Sequence, residues 1–229
     1  MKISGLEKLT LGDYPGHIAC TIFTQGCNFK CGYCHNADLI SEQLNGCLSK
    51  EDVMTYLDFR IKLLEGVVIS GGEPLLQQGL KELIILIKAK GLKVKLDTNG
   101  TNIEMLRELI EERLIDYIAM DIKADADNYS KVIGLDHFDF HQVEKAIELI
   151  TSSGIDYEFR TTINKEFHDL SMLENICRYI GNEGKYYLQN FRDNENVLER
   201  KFTGFSNDEI QDLMQALSID YTNLKVRGF

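Results

Sequence analysis

Six short runs rich in Val, Ile, Tyr and Thr recur along the chain, each followed by a segment of helical periodicity. This alternation restricts the fold more than any other feature. The runs are 17–24 (HIACTIFT), 66–70 (GVVIS), 93–97 (KVKLD), 117–122 (YIAMDI), 157–163 (YEFRTTI) and 185–191 (KYYLQNF). Helical patterns fill the gaps: 50–64 behind a Ser49/Asp52 cap pair, then a face of Leu80, Leu83, Ile84 and Ile87 that Gly91 ends. Further patterns cover 102–112, 140–152, 169–180 and 207–217, the last behind Ser206 and Glu209. Strand–helix alternation of this kind gives parallel strands joined by right-handed crossovers. Six units are too few to close an eightfold barrel, which leaves an open doubly wound sheet or a partial barrel.

Polar residues choose between the two. The first run ends in a cysteine-rich loop, the second in Ser70-Gly71-Gly72-Glu73-Pro74, and the third in Asp97-Thr98-Asn99-Gly100. The fourth carries Asp121 and Lys123, the fifth Arg160, and the sixth Gln189 and Asn190. Parallel α/β folds build their sites at these C-terminal strand ends. Six strands serving one site suit a curved sheet better than a flat one. The expectation is therefore α/β, a partial (β/α)6 TIM-like barrel open on one side. It is read as a single domain, 1–229, with 194–229 a C-terminal extension whose LKVRGF can add a short edge strand.

Of 229 residues, 44% are hydrophobic and 27% charged, the balance of a soluble globular protein. A net charge of −11 opposes general attraction to nucleic acid or anionic lipid. The N-terminus lacks a secretory h-region, and the longest apolar run, LIILI at 83–87, is too short to span a bilayer. A cytoplasmic protein with neither nucleic acid nor membrane as partner is expected. Cys20 and Cys177 fall on apolar faces and read as small core residues, while Cys47, in NGCLS near the cysteine-rich loop, reads as a loop thiol without function, with a fourth-ligand role as its alternative.

The other three cysteines form Cys27-x-x-x-Cys31-x-x-Cys34. A structural zinc site takes four protein ligands, often as two CxxC pairs, and no second CxxC exists here. A redox dithiol needs two cysteines. Three thiolates on an iron–sulfur cubane leave one iron free for a substrate or cofactor. The open cluster leads, followed by a zinc site and then by three ordinary loop thiols. In Gly71-Gly72-Glu73-Pro74 the glycines let backbone approach a ligand, and Glu73 can accept bonds from an ammonium group. Alone, that motif would be only a turn into a helix.

CxxxCxYC followed one βα unit later by GGEP resembles the radical S-adenosylmethionine (SAM) superfamily. The likeness extends to the activating enzymes of glycyl radical proteins. It includes Asp13-Tyr14-Pro15-Gly16 before the first strand, QGCN and YCHN around the cysteines, the DTNG strand end and Asp121-Ile122-Lys123. It runs from about residue 5 to 192 and is most similar to activases of anaerobic ribonucleoside-triphosphate reductase.

The resemblance implies that Cys27, Cys31 and Cys34 hold a [4Fe–4S] cluster whose free iron chelates SAM. An electron from the cluster would cleave SAM to methionine and a 5′-deoxyadenosyl radical, which takes hydrogen from a glycine of the partner. Tyr33 would lie against the adenine or support the loop, and Gly71, Gly72 and Glu73 would receive the methionyl ammonium. Thr98 and Asn99 would lie near the ribose and carboxylate, Asp97 and Asp121 would hold a monovalent cation, and Lys123 and Arg160 would stand near SAM. Plain structural readings stand beside these: Asp97 and Asp121 as helix caps, Lys123 as a solvated lysine, Arg160 paired with Glu158 or another acid nearby. The Pro-Tyr-His stretch of the pyruvate formate-lyase activase is absent from the sixth strand, where Gln189 stands. The implied partners are a glycyl radical enzyme, first class III ribonucleotide reductase, and a low-potential electron donor such as flavodoxin or ferredoxin. Two competitors remain: a radical SAM enzyme acting on a small molecule, like the deazaguanine synthases, and a zinc-binding interaction module.

Overall fold

All six runs form strands, within a residue or two of their expected limits, and two more strands flank them. The computed structural model describes residues 1–40 and 48–228, so Cys47 lies outside the described residues. The chain divides into two compact units, Met1–Asn28 with Asp38–Ala119, and Phe29–Ala37 with Met120–Phe229.

In the first unit the strand order is β1 (Ile3–Thr10), β2 (Ala19–Thr24), β3 (Gly66–Gly71), β4 (Lys93–Thr98). β2, β3 and β4 pair in parallel, as expected from the alternation. β1 was not expected. It pairs antiparallel with β2 and shifts register between Ile3 and Gly5 and between Glu7 and Thr10. Those irregularities break the period-2 pattern by which a strand is read from sequence. Val67, Val68 and Ile69 of β3 are fully buried, as befits a parallel strand covered on both faces.

After α1 (Ala37–Ile40), a single turn, α2 (Lys50–Arg60) begins at the expected capping box. Ser49 Oγ accepts from Asp52 N, and Asp52 accepts from Ser49 N. α3 (Leu80–Ala89) buries Leu80, Leu83, Ile84 and Ile87, the face read from the sequence. α4 (Ile103–Glu111) is capped by the Asn102 side chain. β5 (Tyr117–Asp121) follows, and within the first unit its Tyr117 and Ala119 pack with Tyr14, Ala19 and Val68.

The second unit contains α5 (Tyr129–Val132), α6 (His141–Thr151), β6 (Asp156–Ile163), α7 (Leu170–Ile180), β7 (Lys185–Asn190), α8 (Asn207–Leu217) and β8 (Leu224–Arg227). β6, β7 and β8 pair in parallel in that order, so LKVR is the edge strand the sequence allowed. Arg227 on β8 clamps Glu158 on β6 with two 2.8 Å bonds, and Glu158 is buried. Cys177 on α7, like Cys20 on β2, is a core thiol, and burial pushes each up to about 12.

The C-terminal extension does more than add an edge. Leu198 N donates to Cys34 O (3.3 Å) and Glu199 N to Gly32 O (2.8 Å). Phe202 is buried against Tyr33, with ring centroids 5.7 Å apart. A Cβ on Gly32 would sit 2.9 Å from the Phe202 ring, so the turn needs glycine there. The segment 196–202 thus straps the second half of the cysteine loop.

Candidate functional site

The candidate residues form two sets, one in each unit. In the first unit the exits of β2, β3 and β4 are stitched together around Glu73. Its side chain is almost wholly buried and accepts from Leu75 N (3.0 Å), Thr98 Oγ1 (2.6 Å) and Asn99 N (2.7 Å). GGEP is therefore tied directly to DTNG. The two glycines serve the chain's own backbone. A Cβ on Gly72 would lie 2.1 Å from Gly26 O, and one on Gly71, at φ 111°, would lie 2.4 Å from Thr24 N. Gly72 N donates to Thr24 O and Glu73 N to Gly26 O, which fixes the backbone just before Cys27.

Asn28, the last letter of QGCN, extends this network and was missed as a site residue. Its amide donates to Thr101 Oγ1 and accepts from Asn99 Nδ2, both at 2.9 Å. Its place beside Cys27 was the available signal. Asp97 accepts from Ser70 Oγ at 3.0 Å and pairs with Lys95, whose side chain is 2% exposed. The helix that follows β4 is capped by Asn102 rather than Asp97, and a buried lysine two residues earlier in β4 could not be foreseen from KVKLD.

The second set centres on Asp121. Lys123 Nζ lies 2.9 Å from one carboxylate oxygen and Arg160 Nε 2.7 Å from the other. Burial opposes the charge on Asp121, but Arg160 and Lys123 overcome it and hold the carboxyl far below its usual range. The plain reading of Lys123 as a solvated lysine is thereby corrected, since it is 16% exposed and paired. Arg160 does pair with a nearby acid, Asp121, while Arg227 bonds Glu158. Each carboxylate assigned by resemblance to a monovalent cation already faces a protein cation. His168 closes the set. It is buried, its Nδ1 accepts from Asn164 N (3.2 Å), and its Nε2 therefore carries the proton shared with Lys123 O (3.0 Å).

Cys31 is buried and Cys34 half-buried, and Cys34 N donates to Cys31 O in a tight turn at 3.0 Å. Burial pushes the Cys34 thiol up, against the opposing pull of Asn36 N–H and Lys123. Cys27, Cys31 and Cys34 are not joined in disulfides. Among the described residues no three His, Cys, Asp or Glu side chains converge on a single-metal position. A cubane asks for something else, thiolates carried on separate iron atoms. The donor set fits it in chemistry, and two buried hydroxyls in the second unit, on Tyr33 and Tyr129, have no hydrogen-bond partner.

Comparison with known proteins agrees with this chemistry. The radical SAM superfamily model matches residues 21–178, more than half of the chain. A protein of Methanocaldococcus jannaschii named as a glycyl-radical enzyme activating enzyme is 36% identical over 194 residues, 82% of this chain and 79% of its own. The pyruvate formate-lyase-activating enzyme of Clostridium pasteurianum is 31% identical over 195 residues, 82% of this chain and 80% of its own. Among solved structures, a radical SAM methyltransferase from Sphaerobacter thermophilus gives a TM-score of 0.75 at 16% identity, covering 96% of this chain and 68% of that one. SuiB of Streptococcus suis bound to S-adenosylmethionine gives 0.72 at 16% identity, covering 90% of this chain and 49% of SuiB, so the chain spans about half of SuiB's length. At such identities the structural likeness shows the fold alone, an α/β partial TIM-like barrel. Among the described residues no helix is long and apolar enough to cross a membrane. The zinc-binding module does not survive these findings. The chain belongs to the radical SAM superfamily, among the glycyl-radical enzyme activating enzymes, and is an enzyme whose cofactors are a [4Fe–4S] cluster and SAM.

Proposed function

We propose that this enzyme takes a hydrogen atom from a backbone glycine of a cytoplasmic glycyl radical enzyme, with anaerobic ribonucleotide reductase the first partner to test. The observation that carries the reading is the matched length. Relatives named as activating enzymes align over four-fifths of this chain, not over the cysteine loop alone. The QGCN–YCHN frame and the DYPG stretch add to it. Asp13 accepts from Thr21 Oγ1 at 2.7 Å, and Tyr14 is buried in the core, so the stretch is a fixed part of the first unit.

In this reading Cys27, Cys31 and Cys34 hold the cluster. The loaded site supplies the electron and the 5′-deoxyadenosyl radical. The chain supplies placement. The Glu73 network sets the backbone of Gly71, Gly72, Thr98 and Asn99 before any ligand arrives, so the methionyl end of SAM meets a preformed surface. Lys123 and Arg160, held by Asp121, present positive charge to the SAM carboxylate, and Tyr33 backs the adenine. A low-potential flavodoxin or ferredoxin supplies reducing equivalents.

The test is anaerobic reconstitution followed by incubation with SAM and each candidate partner, read by electron paramagnetic resonance. A glycyl radical doublet on ribonucleotide reductase is expected. A doublet only on pyruvate formate-lyase reassigns the partner. SAM turnover with no protein radical on any partner moves the enzyme to small-molecule chemistry. Cys27→Ala, Cys31→Ala and Cys34→Ala should each abolish SAM cleavage, and full activity in any one removes that residue from the cluster.

A further inference from the structure

Two hydroxyls in the second unit are buried and unpaired: Tyr33 Oη and Tyr129 Oη. Tyr33 is 3% exposed and Tyr129 1% exposed. A buried hydroxyl without a partner is uncommon and costly, because it has left water and gained nothing. Two of them held by one short stretch of chain call for a common cause.

Both belong to the surroundings of Cys31. Tyr33 is two residues beyond it, inside the turn closed by Cys34 N and Cys31 O. Its ring is wedged edge-on among Phe167, His168 and Phe202, which leaves it little freedom to turn away. Tyr129 opens α5, and α5 is pinned to the two residues just before Cys31. Lys30 N donates to Ile133 O at 2.8 Å, and Gly134, at φ 71°, presses so closely on Lys30 that a Cβ would fall 2.4 Å from its carbonyl oxygen. Tyr129 also meets Phe29 edge-on at 6.1 Å and stacks on Phe138 at 5.0 Å. Burial raises the pKa of both phenols and Lys123 pulls the other way, at Tyr129 through its backbone N–H as well as its charge. That N–H can only donate, so the Tyr129 hydroxyl proton is still without an acceptor. The two rings are thus fixed by the chain on either side of Cys31, Tyr33 by the turn that follows it and Tyr129 by the residues that precede it.

We propose that Tyr129 and Tyr33 donate their O–H groups to anionic sulfur at Cys31 when the cluster is bound, and that these donors raise the reduction potential of the cluster. This rests on the reading that Cys31 is a cluster ligand. A neutral thiol is a weak acceptor, whereas a thiolate on iron is a strong one. One-electron reduction adds negative charge to the cluster, and hydrogen bonds to its sulfurs stabilise the reduced state. Neither role follows from the cysteine motif. Tyr129 lies nearly a hundred residues from Cys31 in sequence and was not a candidate from sequence alone.

Tyr129→Phe and Tyr33→Phe remove one oxygen each and keep the ring packing. The holoenzyme is reconstituted anaerobically, its iron and sulfide are assayed, and its midpoint potential is found by redox titration monitored by electron paramagnetic resonance. Each Phe variant should hold the wild-type complement of iron with a lower midpoint. A tenfold fall in the reduced-to-oxidised ratio at fixed poise corresponds to about 59 mV for one electron. The double variant should fall further than either. Resonance Raman adds a second readout: iron–sulfur stretches that shift in D2O in the wild type should lose part of that shift. Unchanged potentials and unchanged D2O sensitivity with full iron content overturn the proposal and leave the cluster assignment standing, with buried waters as the partners of the two hydroxyls. A Cys31→Ser protein that retains a normal cluster overturns the underlying assignment instead. Should one Phe variant misfold, the other is read alone, since each removes a separate donor from the same sulfur.

Discussion

Glu73 in the first unit and Asp121 in the second stand at the ends of strands in the same kind of fold, yet they are held in opposite ways. Glu73 is 1% exposed and takes three bonds from uncharged donors, two of them backbone amides. Asp121 keeps 28% of its side-chain surface and is gripped by two cations. The first arrangement fixes backbone: Leu75, Thr98 and Asn99 all take their positions from one carboxylate. The second fixes charge: Lys123 and Arg160 are kept ionised and aimed by the same acid. One region is built for shape and the other for electrostatics, so the two should fail differently.

The largest effect is expected at Glu73→Gln. Every atom of the carboxylate that becomes an NH2 meets a donor already in place, either Asn99 N–H or the Leu75 N–H and Thr98 hydroxyl pair. At least one buried donor is then orphaned and a bond to a charged acceptor is lost, roughly 3 kcal/mol together. Chemical denaturation of the variant should show that loss, and weakened SAM binding should accompany it with the cluster still present. SAM affinity alone therefore does not separate a direct contact from a displaced backbone. A variant of wild-type stability that binds SAM weakly marks direct contact, whereas parallel losses mark a scaffold.

Asp121→Asn should cost less, on the order of 1–3 kcal/mol, because solvent reaches the pair and screens it. Its pH dependence is the sharper reading. The folded pKa of Asp121 is depressed, so its stabilisation is fully present above the unfolded carboxyl value, about 3.9. It is lost as pH falls from there through the folded value. Wild type and Asp121→Asn should therefore differ by a constant amount from pH 5 to 8 and converge in acid. A gap that does not narrow as pH falls below about 3.9 would mean that shape, not charge, is what Asp121 contributes.

This contrast also explains what the sequence could reveal. The six parallel-type strands, the capping boxes at Ser49 and Ser206 and the buried face of α3 follow from local periodicity and cap chemistry, which act over a few residues. The motif letters marked Glu73, Thr98 and Asn99, but not their joining, since that depends on how two strand exits meet. That Arg160 would pair with an acid was legible, but which acid was not: Asp121 comes from another strand, and Glu158, two residues away, is bonded by Arg227 from the far end of the chain. β1 escaped because two register shifts spoil its alternation, and Tyr129 because an unpaired hydroxyl is a property of surroundings that no local pattern carries.

His168 offers the finest cut between shape and charge, since it holds shape while neutral and becomes a charge only in acid. Asn164 N–H points at Nδ1, and Nε2–H donates to the carbonyl of Lys123, two residues beyond Asp121. Protonation would set a second N–H against the Asn164 donor. Burial lowers the folded pKa, although the bonds to Lys123 and Asn164 and the charges of Asp169 and Asp125 act to raise it. The unfolded chain, with a histidine value near 6.5, takes up a proton that the folded chain refuses. Stability therefore falls as pH drops below about 6.5 and stops falling once the folded value is passed. One proton gives at most about 1.4 kcal/mol per pH unit, which caps the loss between pH 6.5 and 5.5. Glutamine can keep one acceptor and one donor without titrating. His168→Gln should flatten the stability curve in that interval while leaving the acid limb assigned to Asp121 below pH 4 in place. If the slope between pH 6.5 and 5.5 survives the substitution, another group carries it, and His168 belongs with Glu73 as a device of shape alone.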